Sequence, residues 1–138
     1  MHAILRIQFE EERSELYELL MRDALPDNYQ IITAQQATHE EAFAFDLCIL
    51  DEAVFTLYHE TILTWKQKVD PIFLPILLLC EAENVRQLPP QMWDVVDDVI
   101  SLPLAKAELL GRIRVLLQMR EATKEIQQLK SQLGRNTK

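Results

Sequence analysis

Two cysteines, three histidines and a run of three glutamates are the side chains whose types invite a search for chemistry in this 138-residue sequence. His59-Glu60 starts like the helical zinc motif in which two histidines four residues apart hold the metal, but the second ligand position is Leu63. His39 lies near a helix start and His2 at a terminus, and both read as ordinary surface residues. Cys48 and Cys80 each fall inside a short apolar run of the kind that becomes a buried strand. They read as free thiols, and no cluster offers metal-ligand spacing. No Ser/His/Asp set can be assembled from spacing alone. Loops that cradle phosphate or a dinucleotide need several glycines, whereas Gly111 and Gly134 are the only two here and both stand in the C-terminal part. These readings point away from an enzyme. They leave any site to be placed by the fold.

The elements that would position it follow from short apolar runs alternating with helical periodicity, the pattern of βαβ units and a parallel sheet covered on both faces. Residues 4–9 read as a first strand and 11–24 as a helix with Leu16, Leu19 and Leu20 on its inner face, ending before Pro26. Residues 29–34 form a second strand, and Thr38 with Glu41 three positions on is a capping-box start for a short helix. Residues 46–50, nearly all apolar, suit the middle of a parallel sheet. A helix over 55–69 follows, its Leu57, Tyr58, Ile62 and Trp65 spaced as a core face. Residues 74–80 and 96–102 are the fourth and fifth strands, and Pro89-Pro90 between them permits only a short or broken helix. Residues 105–133 lack proline and allow a helix of about 29 residues, about 43 Å, too long for one layer of a small domain. Along it Val115, Met119, Ala122, Ile126, Leu129 and Leu133 step by 4, 3, 4, 3 and 4, a heptad seam expected to meet a second copy of the chain. Gly134 is expected to stop the helix and leave a frayed end.

The length and the 49% hydrophobic content suit one domain with a real core. No apolar run is long enough to span a bilayer, and the N-terminus lacks the basic and apolar regions of a secretion signal, so a cytoplasmic protein without membrane partners is expected. The net charge of -8 is unevenly spread: residues 1–104 carry 6 basic and 19 acidic side chains, residues 105–138 carry 8 and 3. The body repels nucleic acid. The basic tail is interleaved with Glu108, Glu121 and Glu125, as a solvated helix face would be.

Three segments, in this order and spacing, resemble the receiver domains of two-component response regulators over about residues 3 to 120. Asp46-Leu47-Cys48-Ile49-Leu50-Asp51 is similar to the family's third strand with its acceptor aspartate, and Leu74-Pro75-Ile76-Leu77-Leu78-Leu79-Cys80 to its fourth. Ser101-Leu102-Pro103, followed by Glu108-Leu109-Leu110-Gly111-Arg112-Ile113, is similar to the lysine-proline step and last helix. The resemblance implies an α/β fold: a doubly wound five-stranded parallel sheet in the order 2-1-3-4-5, helices on both faces and an extended C-terminal helix. Residues 1–120 would be the receiver-like domain and 121–138 a helical extension or coiled-coil linker.

It also implies a site near the strand C-termini. An aspartate attacks phosphorus there, two acidic groups hold Mg2+, a lysine neutralises the acyl phosphate and a hydroxyl senses it. Asp51 stands at the acceptor position, Cys80 at the hydroxyl position and Leu102 at the lysine position. Aligning the first strand puts Gln8 and Phe9 at the metal positions, and aligning the helix puts Glu11 and Glu12 there, beside Asp51. Arg6 is the basic residue available to replace the lysine, and Val99 replaces the ring of the family's output switch. A flavodoxin relative would share the strand order, but Glu10-Glu11-Glu12 would repel its phosphate. Losing a preorganised cation typically costs about 3 to 4 kcal/mol of transition-state stabilisation. The expected function is therefore a degenerate receiver, a pseudo-receiver without a cofactor. It would act through protein-protein contacts and homodimerisation, in company with a sensor kinase or an output domain of a longer protein. One alternative is a competent phospho-acceptor at Asp51 using Glu11, Glu12 and Mg2+. The other is a DNA-binding regulator using the basic C-terminal helix.

Overall fold

The structure is a computed structural model and describes residues 3–33 and 44–136. Its five strands are β1 (Ala3–Gln8), β2 (Tyr29–Thr33), β3 (Leu47–Asp51), β4 (Ile76–Glu81) and β5 (Asp98–Leu102). All pair in parallel, in the order β2-β1-β3-β4-β5. The expected doubly wound sheet is present. Three α-helices, α1 (Glu11–Ala24), α2 (Glu52–Val69) and α3 (Lys106–Asn136), are described. Between β4 and β5 the prolines leave only two 3-10 segments, Ala82–Gln87 and Pro90–Asp94. The capping-box helix start at Thr38 and Glu41, with His39, lies outside the described residues, as does His2.

Strand periodicity sorts the core into two layers. Leu5, Ile7, Leu47, Ile49, Leu77 and Leu79 point toward α1 and α3. Cys48, Leu50, Ile76 and Leu78 point toward α2 and the second 3-10 segment. Arg6 shares this second face and is 1% exposed, its guanidinium 4.9 Å from the Trp65 ring centre and 5.7 Å from that of Phe45. It also donates to Gln8 Oε1 at 3.3 Å. At the other end of the sheet, two aspartates just before a strand each accept from an N–H at the start of a neighbouring strand. Asp46 Oδ2 takes Ile4 N and Asp97 Oδ2 takes Ile76 N, both at 2.8 Å. Burial pushes the Asp97 carboxyl pKa up, against the pull of Lys66 at 2.6 Å.

Two helix faces differ from expectation. The inner face of α1 is Tyr17, Met21 and Ala24, with Tyr17 edge-on to Phe9 at 5.0 Å, whereas Leu16 is 58% and Leu19 67% exposed. Both stripes have helical spacing, and the one facing the sheet is chosen by how the turn after β1 enters the helix. On α2, Val54, Ile62, Trp65 and Val69 are buried while Leu57 is 77% exposed. Gly134 does not end α3, which continues to Asn136. A glycine stops a helix by turning left-handed, and no glycine has positive φ here. The helix is about 46 Å long.

Candidate functional site

Parallel strands deliver their C-terminal ends to one edge of the sheet, and Asp51 is the last residue of β3. It is also the N-cap of α2: Asp51 Oδ1 accepts from Val54 N at 3.1 Å. Its other oxygen, Oδ2, accepts from Glu10 N at 2.8 Å and so ties the turn after β1 to the tip of β3. The side chain is buried, with 5% exposure.

Around it opens a cleft of about 170 Å³, lined by Glu10, Arg13, Tyr17, Asp51, Glu52, Leu79, Glu81, Asn84 and Leu102, among others. Four carboxylates thus share it with one guanidinium. Arg13 Nη1 reaches Glu81 Oε1 at 3.0 Å and the Tyr17 hydroxyl at 3.4 Å. Glu52 Oε1 accepts from Glu81 N and from Asn84 Nδ2, both at 3.3 Å. Leu102 pairs with Glu81 across β4 and β5 and contributes an apolar wall.

The expected site residues divide into those the cleft gathers and those it does not. Asp51 and Leu102 come together. Cys80 does not: it is fully buried on the α2 side, and its thiol donates to Glu81 O at 3.4 Å. Burial, reinforced by the Glu52 carboxylate, pushes that thiol up to about 12. The side chain that β4 presents to the cleft is Glu81, one position on. Glu11 and Glu12 are exposed on the first turn of α1 and do not line the cleft, which Glu10 does. Gln8 is engaged by Arg6, and Phe9 is buried against Tyr17. Arg6, packed on Trp65, is not the cleft's cation; Arg13 is.

A divalent ion beside Asp51 would need converging carboxylates. Glu52 is turned to Asn84 and Glu81 to Arg13, and the described residues contain no group of three or more His, Cys, Asp or Glu able to hold a metal ion. The residues present do not fit the Mg2+ that the resemblance implies. Arg13, Glu10 and Glu81 were missed because their roles depend on register across the sheet. For Glu81 a usable signal existed: period 2 along β4 puts it on one face with Leu77 and Leu79.

No family model matches the chain, and no curated protein matches it. Solved structures do. NtrX from Brucella abortus in complex with ADP superposes with TM-score 0.69 at 19% identity, over 97% of this chain and 30% of that one. A putative response regulator from Chloroflexus aurantiacus gives 0.60 at 20% identity, over 86% and 99%. A response regulator receiver domain protein from Clostridium thermocellum gives 0.60 at 15%, over 88% and 98%. The chain has the receiver fold. It spans about a third of the NtrX chain and nearly the whole of the other two. Against that fold the cleft described above occupies the usual place, at the C-terminal edge of the sheet.

The receiver fold here ends in a helix that outruns it. Arg120 Nη1 donates to Phe73 O at 2.9 Å, Arg120 Nε to Asp46 Oδ1 at 3.2 Å, and Thr123 Oγ1 accepts from Phe73 N at 2.9 Å. These contacts dock α3 on the base of the sheet as far as residue 124, where Lys124 approaches Asp46 at 3.7 Å. On its outer side Val115, Met119, Ile126, Leu129 and Leu133 are 50–63% exposed, and Ala122 is exposed beside them.

Proposed function

We propose that the chain is a degenerate receiver module of two-component signalling that works through protein contacts rather than through an aspartyl phosphate. Its homodimer would form through α3. The observation that carries the reading is the bonding of Asp51. Its two oxygens cap α2 and hold Glu10, Leu102 supplies no charge, and the cleft's single guanidinium is committed to Glu81. A phosphoryl group added there would share the cleft with the carboxylates of Glu10, Glu52 and Glu81 and with the apolar wall of Leu102. No enzymatic turnover and no cofactor are part of this reading. A sensor or output domain of a longer protein is the partner it requires, and a cytoplasmic location goes with it.

Several basic side chains of α3 are held within the chain: Arg112 by Asp98 and Glu108, Arg120 by Asp46, and Lys124 by Asp46 and Glu121. That supports a protein partner over nucleic acid for this helix. The test is to add Mg2+ with a small phosphoryl donor, or with beryllofluoride, and follow amide shifts near residue 51. The expected result is no Mg2+-dependent change. A saturable change that Asp51→Asn abolishes would favour the competent phospho-acceptor and sink this proposal.

A further inference from the structure

The seam of α3 carries a direction as well as an attraction. Counted in heptads, Met119, Ile126 and Leu133 take the first core position and Val115, Ala122 and Leu129 the fourth. At 100° per residue this stripe lies on the side of the helix away from Leu109, Ile113, Leu116, Leu117 and Arg120, which are buried against the body. A second copy can therefore reach the whole stripe without displacing its own domain.

The flanking positions decide how the copies run. On one flank stand Gly111, Gln118, Glu125 and Gln132; on the other, Leu116, Thr123 and Lys130. In a parallel, in-register pair each residue of the first flank meets the one five positions on in the second flank of the other copy. Glu125 then faces Lys130 of the second copy, and two-fold symmetry makes the contact twice. In an antiparallel pair each flank meets its own kind. Glu125 would meet glycine, glutamine or glutamate, and Lys130 would meet leucine, threonine or lysine, with no opposite charges in any register. Glu125 and Lys130 are both exposed. The ion pairs along the helix use Glu108, Arg112, Arg120, Glu121 and Lys124, so among the described residues these two form none within the chain.

We infer that a second copy of this chain docks parallel and in register along residues 115–133, clasped by two Glu125–Lys130 ion pairs. This rests on the homodimer reading and deepens it. It sets the two bodies side by side with both Asp51 clefts at the same end of the pair, and sends both helices out in the same direction.

Cysteine cross-linking of the full chain tests the direction, since Cys48 and Cys80 are buried and do not compete. Under mild oxidation Leu133→Cys should form a disulfide with itself. A mixture of Val115→Cys and Leu133→Cys chains should form no mixed product between the two. Glu125→Lys or Lys130→Glu alone should raise the dimer dissociation constant roughly tenfold at low salt, and the double swap should restore it. Mixed 115–133 cross-links without 133–133 product would overturn the parallel arrangement while leaving a homodimer. A 133–133 cross-link indifferent to the charge reversals would overturn the clasp. A chain that sediments as a monomer up to its solubility limit would remove the homodimer reading itself.

Discussion

At Asp51 two backbone N–H groups hold the oxygens that a transferred group or a metal would otherwise compete for. The aspartate is the N-cap of a helix and the tie that fixes the turn after β1, which gives it a role in the fold whether or not it ever reacts. Asp51→Ala should cost about 2 kcal/mol in urea unfolding, one cap plus one stranded N–H. Asp51→Asn, keeping one acceptor oxygen, should cost about 1. A loss under about 0.5 kcal/mol for the alanine variant would show that the two bonds contribute little. Asp51 and Leu102 were named from the receiver resemblance, and the cleft gathers both. Cys80 lies on the other face of β4 from Glu81, and strand periodicity separates the two but does not say which face borders the cleft. Arg13 was invisible: nothing along the chain links it to Glu81, 68 positions away.

Elements in this protein are fixed by anchors as much as by stripes. Helix α1 carries two candidate apolar faces, Leu16-Leu19-Leu20 and Tyr17-Met21-Ala24, and the second is buried. The hydrogen bond from Glu10 N to Asp51 fixes where the helix begins, and the ring of Tyr17 against Phe9 fixes its rotation. Leucine content alone favoured the other face. Helix α3 is held by Arg120 and Thr123 on the loop at Phe73. Replacing Arg120 with methionine should lower stability by about 2 to 3 kcal/mol, since it frees the Phe73 carbonyl and strips Asp46 of its closest cation. Thr123→Val should cost about 1 kcal/mol and speed hydrogen exchange at the Phe73 amide, leaving strand amides protected. Unchanged exchange at Phe73 would mean that the loop does not depend on this hydroxyl.

For the whole molecule, two buried thiols make alkaline pH destabilising. Burial pushes Cys48 and Cys80 up to about 12 from an ordinary 9.0. Between those values the unfolded chain releases two protons that the folded chain keeps, so stability falls as pH rises through the window. The slope is about 1.4 kcal/mol per pH unit for each thiol. Urea midpoints across pH 8 to 11 should fall less steeply in a Cys48→Ala/Cys80→Ala variant than in the parent. An equal slope would exclude the thiols as the cause. What the order of residues determined by itself was the alternation of strands and helices, the broken segment at Pro89-Pro90 and the heptad seam. Each of these is a local consequence of period, ring geometry or propensity. What only the tertiary structure decided was which apolar stripe of α1 faces the sheet, which face of β4 lines the cleft, and that Arg13 supplies its cation. Those outcomes depend on strand register and helix rotation, which are set by contacts between residues far apart in the chain.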